Sequence, residues 1–351
     1  MSEARGAAHV HVVIIGFAAF DNDEKILWDY HDVDGNQGVE SRVSNIGPYL
    51  IEGGDIAIRA VSHPLTDVPR CQYGSKPADD GNLIIEEQDR QAFLAANPSA
   101  KKYLRPLLCA EEYLHGTPRW CLWLVDADPS DIRSIPGIRR RVEAVRAFRE
   151  ASKKRPTQEA AARPAVFAEI RQPQSRFIVV PQHTSELRRY VPFGYFDPDY
   201  IVHNSCSAIP NATLYHFGVP SSIMHMVWVR TVCGRIKSDF RYSTTLVYNN
   251  FPWPGATTPA KRGKVEVAAE AVIEVRRKYG GSTLADLYDP IAMPHQLVQA
   301  HKTLDTAVDR CYRRDPFTTD RLRLEFLFAK HDLLVNPLTP TAGRGRRRDG
   351  R

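Results

Sequence analysis

Apolar positions along this chain change rhythm once. As far as residue 254 they come in short runs of about four to eight residues, punctuated by Gly, Pro, Asp and Asn, the pattern of short strands between turns. After the Pro-, Gly- and Thr-rich stretch 255–264 they recur at three- and four-residue spacing, the pattern of helices. In the first regime the run 9–16, HVHVVIIG, predicts a strand buried on both faces. Such a strand needs neighbours that nothing before it supplies, so the chain is expected to be part of something larger. A short strand is expected over 25–30, a turn-rich loop over 32–38, and strand-like segments over 43–50 and 55–60. Further strands are expected over 82–85, 104–108, 111–114 and 119–124, the last central because both its faces are apolar. A helix is expected over 86–96, with acidic residues in its first turn. Helical stretches follow over 131–135 and 137–155, the second with an apolar stripe of Val142, Val145 and Phe148. Strands over 176–181 and 189–194 are joined by a polar turn, and 197–201 and 208–215 continue the β pattern.

Ser221 or Ser222 can cap a helix whose apolar side is Ile223, Met226, Val227 and Val229, and Gly234 ends it. A polar segment, 234–243, and a strand closing on a proline–aromatic clamp at 251–254 come next. Helices over 264–279, 283–289, 294–312 and 320–334 make a small bundle. The expected fold class is therefore α/β (α+β), followed by an all-α bundle, with a disordered basic tail over 336–351.

The chain's 351 residues, 43% hydrophobic and 25% charged, suit an ordinary globular protein of about two domains. Its net charge of +6 suits a polyanionic partner without demanding one. The six cysteines form no CxxC pair or zinc spacing, so they read as buried free thiols of a reducing cytosol. The apolar stretch 10–20 is too short to span a bilayer, no secretion signal precedes it, and a cytoplasmic protein is expected, with no membrane partner. No phosphate-cradling glycine loop, HExxH, GxSxG or nuclease-like carboxylate cluster is present, so no catalytic, cofactor or metal residue is expected in this chain. The histidines are mostly isolated, and His225 and His301 read as core or interface residues rather than ligands. Asn249-Asn250-Phe251-Pro252 superficially resembles the Asn-Pro-Pro-aromatic motif that holds a flipped adenine, but it lacks the Pro-Pro step and reads as packing.

What remains is recognition chemistry. Residues 234–243 gather three cations, one carboxylate, two aromatics and two hydroxyls. Lys237 and Asp239 are two apart, so in an extended segment they point the same way. A lysine donates to guanine O6 and N7, and an aspartate accepts from cytosine N4, so the pair can read both halves of one G·C base pair in the major groove. From the residues alone, a surface Lys–Asp ion pair is the plainer alternative. Arg235, Arg241, Tyr242 and Ser243 suit phosphates or packing beside the pair. On the 137–155 helix, Arg140, Arg146, Lys153 and Lys154 belong to a cationic excess for which phosphate contact competes with a solvated, ion-paired face.

Taken together, AAHVHVVIIGF (7–17), SNIGPYL (44–50), YGSKPADDGNLI (73–84), RWCLWL (119–124), RRVEAVRAFREASKK (140–154), RRYVPFGY (188–195), residues 224–254, STLADLYDP (282–290) and AMPHQLVQAH (292–301) resemble the C-terminal part of the MmeI-like, type IIL restriction–modification enzymes. These fuse a nuclease, an S-adenosylmethionine-dependent adenine methyltransferase and a target-recognition domain. The resemblance implies the tail of a methyltransferase domain and a connector over 1–69. It implies a DNA target-recognition domain over 70–255 and a helical C-terminal domain over 256–335. It implies that positions matching Lys237 and Asp239 read a base pair at the edge of the target, with guanine expected for this combination. That favours base reading over the plain ion pair. The family's nuclease cluster, cofactor glycines and Asn-Pro-Pro-aromatic motif lie upstream and are not in this chain. Residues 183–189 depart from the family's double-serine form, so no role is carried onto them. The expectation is a module that reads double-stranded DNA, with S-adenosylmethionine in a separate catalytic methyltransferase/nuclease half. The competing expectations are an adenine methyltransferase subunit active only with that half, and an inactive remnant that binds DNA nonspecifically or binds a partner protein.

Overall fold

Among the described residues, short strands are gathered into four small sheets, and the last third of the chain is helical and shares a core with one of them. The structure, a computed structural model, describes residues 13–29 and 38–337. In chain order the first elements are β1 (Lys25–Asp29), β2 (Val39–Val43), β3 (Gln72–Tyr73), β4 (Ile84–Glu86), α1 (Glu87–Ala96), β5 (Leu104–Leu108), α2 (Ala110–His115) and β6 (Arg119–Leu122). Then come α3 (Pro129–Ser134), α4 (Pro136–Glu150), α5 (Arg155–Glu159), β7 (Phe177–Pro181), β8 (His183–Thr184), β9 (Gly194–Phe196), β10 (Ile201–Val202) and β11 (Cys206–Pro210). The remainder is α6 (Leu214–Gly218), α7 (Ile223–Val232), β12 (Gly234–Ile236), β13 (Asp239–Arg241), α8 (Pro259–Lys278), α9 (Leu284–Leu287), α10 (His295–Tyr312) and α11 (Asp320–Val335). The sheets run β1-β2, β10-β5-β6-β4, β3-β11-β7-β9 and β12-β13-β8. This is the expected mixed α/β unit followed by helices.

Two main cores divide the molecule. One lies between the β10-β5-β6-β4 sheet and helices α1 and α4, with Leu83, Cys121, Leu122, Ile138 and Val145 fully shielded. The other is continuous from the β7 and β11 strands through α7 into the helical bundle, where Trp228, Phe251, Val265, Leu304 and Leu327 pack together. The helices after residue 255 thus share a core with the strands that precede them. Burying this much aromatic and aliphatic surface is what holds the two together. All six cysteines are buried and free, as expected.

Several expected elements differ. Residues 13–16 form no strand, and Val13, Ile14 and Ile15 stand exposed because no neighbouring strand among the described residues pairs with them. The rest of that run, the 32–37 part of the expected turn-rich loop and the expected tail beyond 337 lie outside the described residues. Residues 44–60 form an irregular loop closed by one bridge, Ile46 to Glu52. The expected strand 111–114 is helix α2: Glu111 and Glu112 favour its N-terminal turn, and Gly116, at φ +67°, ends it. Residues 214–218 are helical, and 244–248 form a π-helical turn in place of a strand. On α4 the buried stripe is Val142, Val145 and Arg149, while Phe148 faces outward.

Gly74 marks a close crossing. A Cβ there would stand 2.3 Å from the His203 carbonyl oxygen and 2.6 Å from that of Val202. Gly74→Ala is expected to destabilise by about 2–3 kcal/mol, since backbone must move to admit it. A urea titration of both proteins measures the difference.

Candidate nucleic-acid interface

The polar decade is a hairpin. β12 and β13 pair antiparallel, Gly234 with Arg241, Arg235 with Phe240 and Ile236 with Asp239, and β13 pairs onward with β8. Lys237 and Ser238 form its two-residue loop. Lys237 takes φ +55°, the left-handed backbone that tight hairpins need and that Gly, Asn or Asp adopts most easily. The expectation that Lys237 and Asp239 align along an extended strand is therefore corrected: a turn separates them. Lys237 projects from the tip and Asp239 from the first position of the return strand.

Alternation divides the hairpin into two faces. Phe240, buried in the core, Thr184 and Arg235 share the inner face. Arg235 lies 4.5 Å over the Phe240 ring and donates to Glu186 and to the Ser238 carbonyl, both at 2.8 Å. Ile236, Asp239, Arg241 and His183 share the outer face. Asp239 Oδ1 accepts the Glu186 backbone N–H at 3.2 Å, which ties the hairpin to the 183–189 turn. The Lys237 and Arg241 side chains are exposed and make no hydrogen bond or ion pair among the described residues.

Tyr242 and Ser243 lie inside this support. Tyr242 is buried, and its hydroxyl meets His225 Nε2 at 2.9 Å. Full burial drives the His225 pKa down to about 3, so the ring is a neutral core partner. Ser243 caps the following π-helical turn, accepting from the Leu246 N–H. A phosphate role for Tyr242 is closed off by its burial; both residues root the hairpin.

The hairpin's outer face borders an open cleft of about 550 Å³. Its walls include His183, Arg188 and Asp239 on one side and Glu112, His115 and His203 on the other. Arg119 pairs with both Glu86, at 2.7 Å, and Glu112. Arg188 is half-buried, donates to the Thr184 hydroxyl at 3.0 Å and has no carboxylate partner among the described residues. Desolvation lowers its pKa. Sequence reasoning missed His183 and Arg188 as hairpin neighbours. The signal is the pairing of β13 with β8, which a two-residue strand hardly announces.

Arg140, Arg146, Lys153 and Lys154 are exposed on or just past α4, on the other core, and none lines the cleft. Asn249 and Asn250 are buried and structural. Asn249 Nδ2 donates to the Val61 carbonyl, Asn250 Nδ2 to those of Arg59 and Thr245, and Asn250 Oδ1 meets His331 Nε2. Among the described residues no group of His, Cys, Asp and Glu is arranged to hold a metal ion, and no helix is long and apolar enough to cross a membrane.

A rooted, charged hairpin beside a cleft, on a mixed α/β unit that shares its core with a helical bundle, is the build of a macromolecular recognition unit. The profile "MmeI, target recognition domain" matches residues 52–255, and "MmeI, C-terminal domain" matches 257–339. The chain belongs to the MmeI family. It is 36% identical over 326 residues to DNA methyltransferase A of Bacillus subtilis (strain 168), covering 93% of this chain and 36% of that protein. Among solved structures it is similar to the type IIL restriction-modification enzyme MmeI in complex with DNA, at a TM-score of 0.87 and 39% identity, over 95% of this chain and 44% of that one. The chain thus spans less than half the length of both relatives.

Proposed function

We propose that this chain is the sequence-reading part of an adenine-specific DNA methyltransferase of a restriction–modification system, and that its ligand is double-stranded DNA. The observation that carries this is the hairpin: Lys237 and Arg241 have no partner among the described residues, Asp239 is braced, and Phe240 is buried in the core. A two-stranded ribbon of this kind fits the major groove, where base edges carry a full donor and acceptor code. The likeness to a protein solved with DNA supports the same ligand. Holding a lysine at positive φ costs about 1 kcal/mol that glycine would avoid, which suits a position kept for what its side chain does.

Catalysis and S-adenosylmethionine belong, in this reading, to the part of the relatives that this chain does not cover, a methyltransferase body that completes the enzyme. The test is a selection from random duplexes with the 351-residue chain, followed by binding to the enriched and scrambled sequences at fixed salt. Enrichment of one sequence supports the reading, and equal binding to all duplexes sinks it. Methyl transfer by this chain alone, with cofactor and DNA, sinks the placement of catalysis elsewhere.

The cations around α4 are proposed to meet phosphates. Replacing Lys153 and Lys154 together with glutamine is expected to weaken enriched and scrambled duplexes alike and to lower the slope of log K against log salt by about two. A changed preference between sequences, or an unchanged slope, argues against phosphate contact.

A further inference from the structure

A chain of buried and half-buried polar groups crosses the seam between the β unit and the helical bundle, built from motifs that the hairpin does not use. Arg276 of α8 donates to the Phe193 carbonyl and, through Nε, to the Tyr288 hydroxyl at 2.7 Å. That hydroxyl lies 2.7 Å from His301 Nε2. The His301 ring stacks on Tyr190 with centroids 3.9 Å apart and planes 17° from parallel. The Tyr190 hydroxyl donates to Asp305 Oδ2 at 2.7 Å, and Asp305 Oδ1 accepts the Ile223 N–H, also at 2.7 Å. Asp305, on α10, is buried with them.

The last two bonds meet where the hairpin is rooted. Ser222 occupies the N-cap position of α7, but its hydroxyl donates back to the Val219 carbonyl. The N–H of the first residue of α7 is satisfied instead by a carboxylate from another helix, where its charge also suits the helix dipole. α7 runs through Val232 and Cys233 directly into β12. Tyr190 follows the 183–189 turn, whose Glu186 holds both Asp239 and Arg235. One carboxylate therefore grips the helix that leads into the hairpin and the turn that braces it. We propose that Asp305, acting through Tyr190 and the α7 N-terminus, is a positioning residue, so that the C-terminal helical bundle sets where Lys237, Asp239 and Arg241 stand.

Hydrogen exchange read by mass spectrometry on the 351-residue chain tests this without DNA, in the wild type, Tyr190→Phe, Asp305→Ala and Asp305→Asn. Tyr190→Phe and Asp305→Ala are expected to speed exchange over 183–189 and 234–241 by about tenfold, the scale of losing a hydrogen bond to a charged group, with 177–181 and 206–210 unchanged. Asp305→Asn keeps an acceptor for Ile223 and a partner for Tyr190, and is expected to stay close to wild type. Unchanged hairpin exchange overturns the proposal, and so does a rise that 177–181 and 206–210 share. Tyr190→Phe removes one hydroxyl and keeps the ring, so it decides the matter if Asp305→Ala does not fold.

A second arm rests on the proposed DNA reading. Tyr190→Phe is expected to reduce preference for the wild type's enriched duplex about tenfold while scrambled binding holds. A looser hairpin with unchanged preference overturns positioning as a source of specificity. A wild type that enriches no sequence defeats the DNA reading, and the exchange arm then decides positioning by itself.

Discussion

Arg149→Ala is expected to lower stability by about 3–5 kcal/mol, the scale for truncating a large buried side chain together with its hydrogen bonds. Arg149 is 0% exposed yet, among the described residues, faces no carboxylate within ion-pair distance. Its five N–H donors meet five backbone carbonyls: Nε that of Ala78, Nη1 those of Ala160 and Arg163, and Nη2 those of Pro77 and Val166, at 2.7–3.0 Å. The planar fork uses every donor it owns, and it ties residues 77–78 and 160–166 to α4. Desolvation lowers its pKa, with Asp79 opposing. Truncation removes all five of these bonds, although the Pro77, Ala160 and Arg163 carbonyls keep a backbone N–H donor each, and opens a hole at the end of the stripe formed by Val142 and Val145. A drop in melting temperature of roughly 10 °C is expected by circular dichroism. Arg149→Lys is expected to recover less than half of the loss, because three donors on a point cannot reach five divergent carbonyls. Arg146→Ala, on the exposed side of the same helix, is expected to stay within about 0.5 kcal/mol of wild type. A wild-type melting curve for Arg149→Ala would mean that the cluster is not a structural tie.

Arg149 also shows where the sequence stopped being legible. Among the many cations of 139–155 nothing marks it apart, and the rhythm of apolar residues points to Phe148 as the inward position. What reverses the two is the backbone of distant loops, whose carbonyls need donors and which no local pattern displays. Where an element's own residues suffice, it was legible. The four bundle helices, the helix ahead of the hairpin and the central strand at 119–122 stand within a few residues of expectation, because helical periodicity and double-sided apolarity are local properties. The hairpin was legible as chemistry and not as geometry. Cations, aromatics and a carboxylate crowd residues 234–243, but Lys237 lacks the Asn-Gly or Asp-Gly turn signal that announces a two-residue loop. The α7 cap failed for the same reason as Arg149. Ser222 is a good N-cap by type and sits in the right place, yet the partner of the Ile223 N–H is Asp305, which lies 82 residues away.

Exchanging Lys237→Glu together with Asp239→Arg is expected to exchange the preferred base pair at one position of the enriched duplex, from G·C to C·G, with the other positions unchanged. Each well-placed contact discriminates by about 1–3 kcal/mol, so the two together shift the preference by about 100-fold or more. The hairpin makes the Lys237 half of this exchange a clean one. Lys237 is exposed at the tip with no hydrogen-bond or ion-pair partner among the described residues, so glutamate there inherits the same left-handed backbone and breaks none of their bonds. Asp239 accepts the Glu186 N–H at 3.2 Å and offsets the charge of Arg188, neither of which arginine can do. Asp239→Asn keeps that acceptor and removes the charge, so it separates bracing of the turn from reading of the base. If bracing alone matters, Asp239→Asn keeps the wild-type preference and the double exchange binds all sequences poorly. If the pair reads a base, Asp239→Asn relaxes one position and the double exchange redirects it, since glutamate accepts from cytosine N4 where lysine had donated to guanine O6 and N7. Arg241 and Arg188 flank position 239, so a guanidinium introduced there raises the local positive charge. Its strongest relief is the carboxylate that Lys237→Glu places across the turn, or a guanine in the groove. Asp239→Arg without the Lys237→Glu change is therefore expected to bind DNA more tightly and less selectively than the double exchange, a difference that salt titration of both variants resolves.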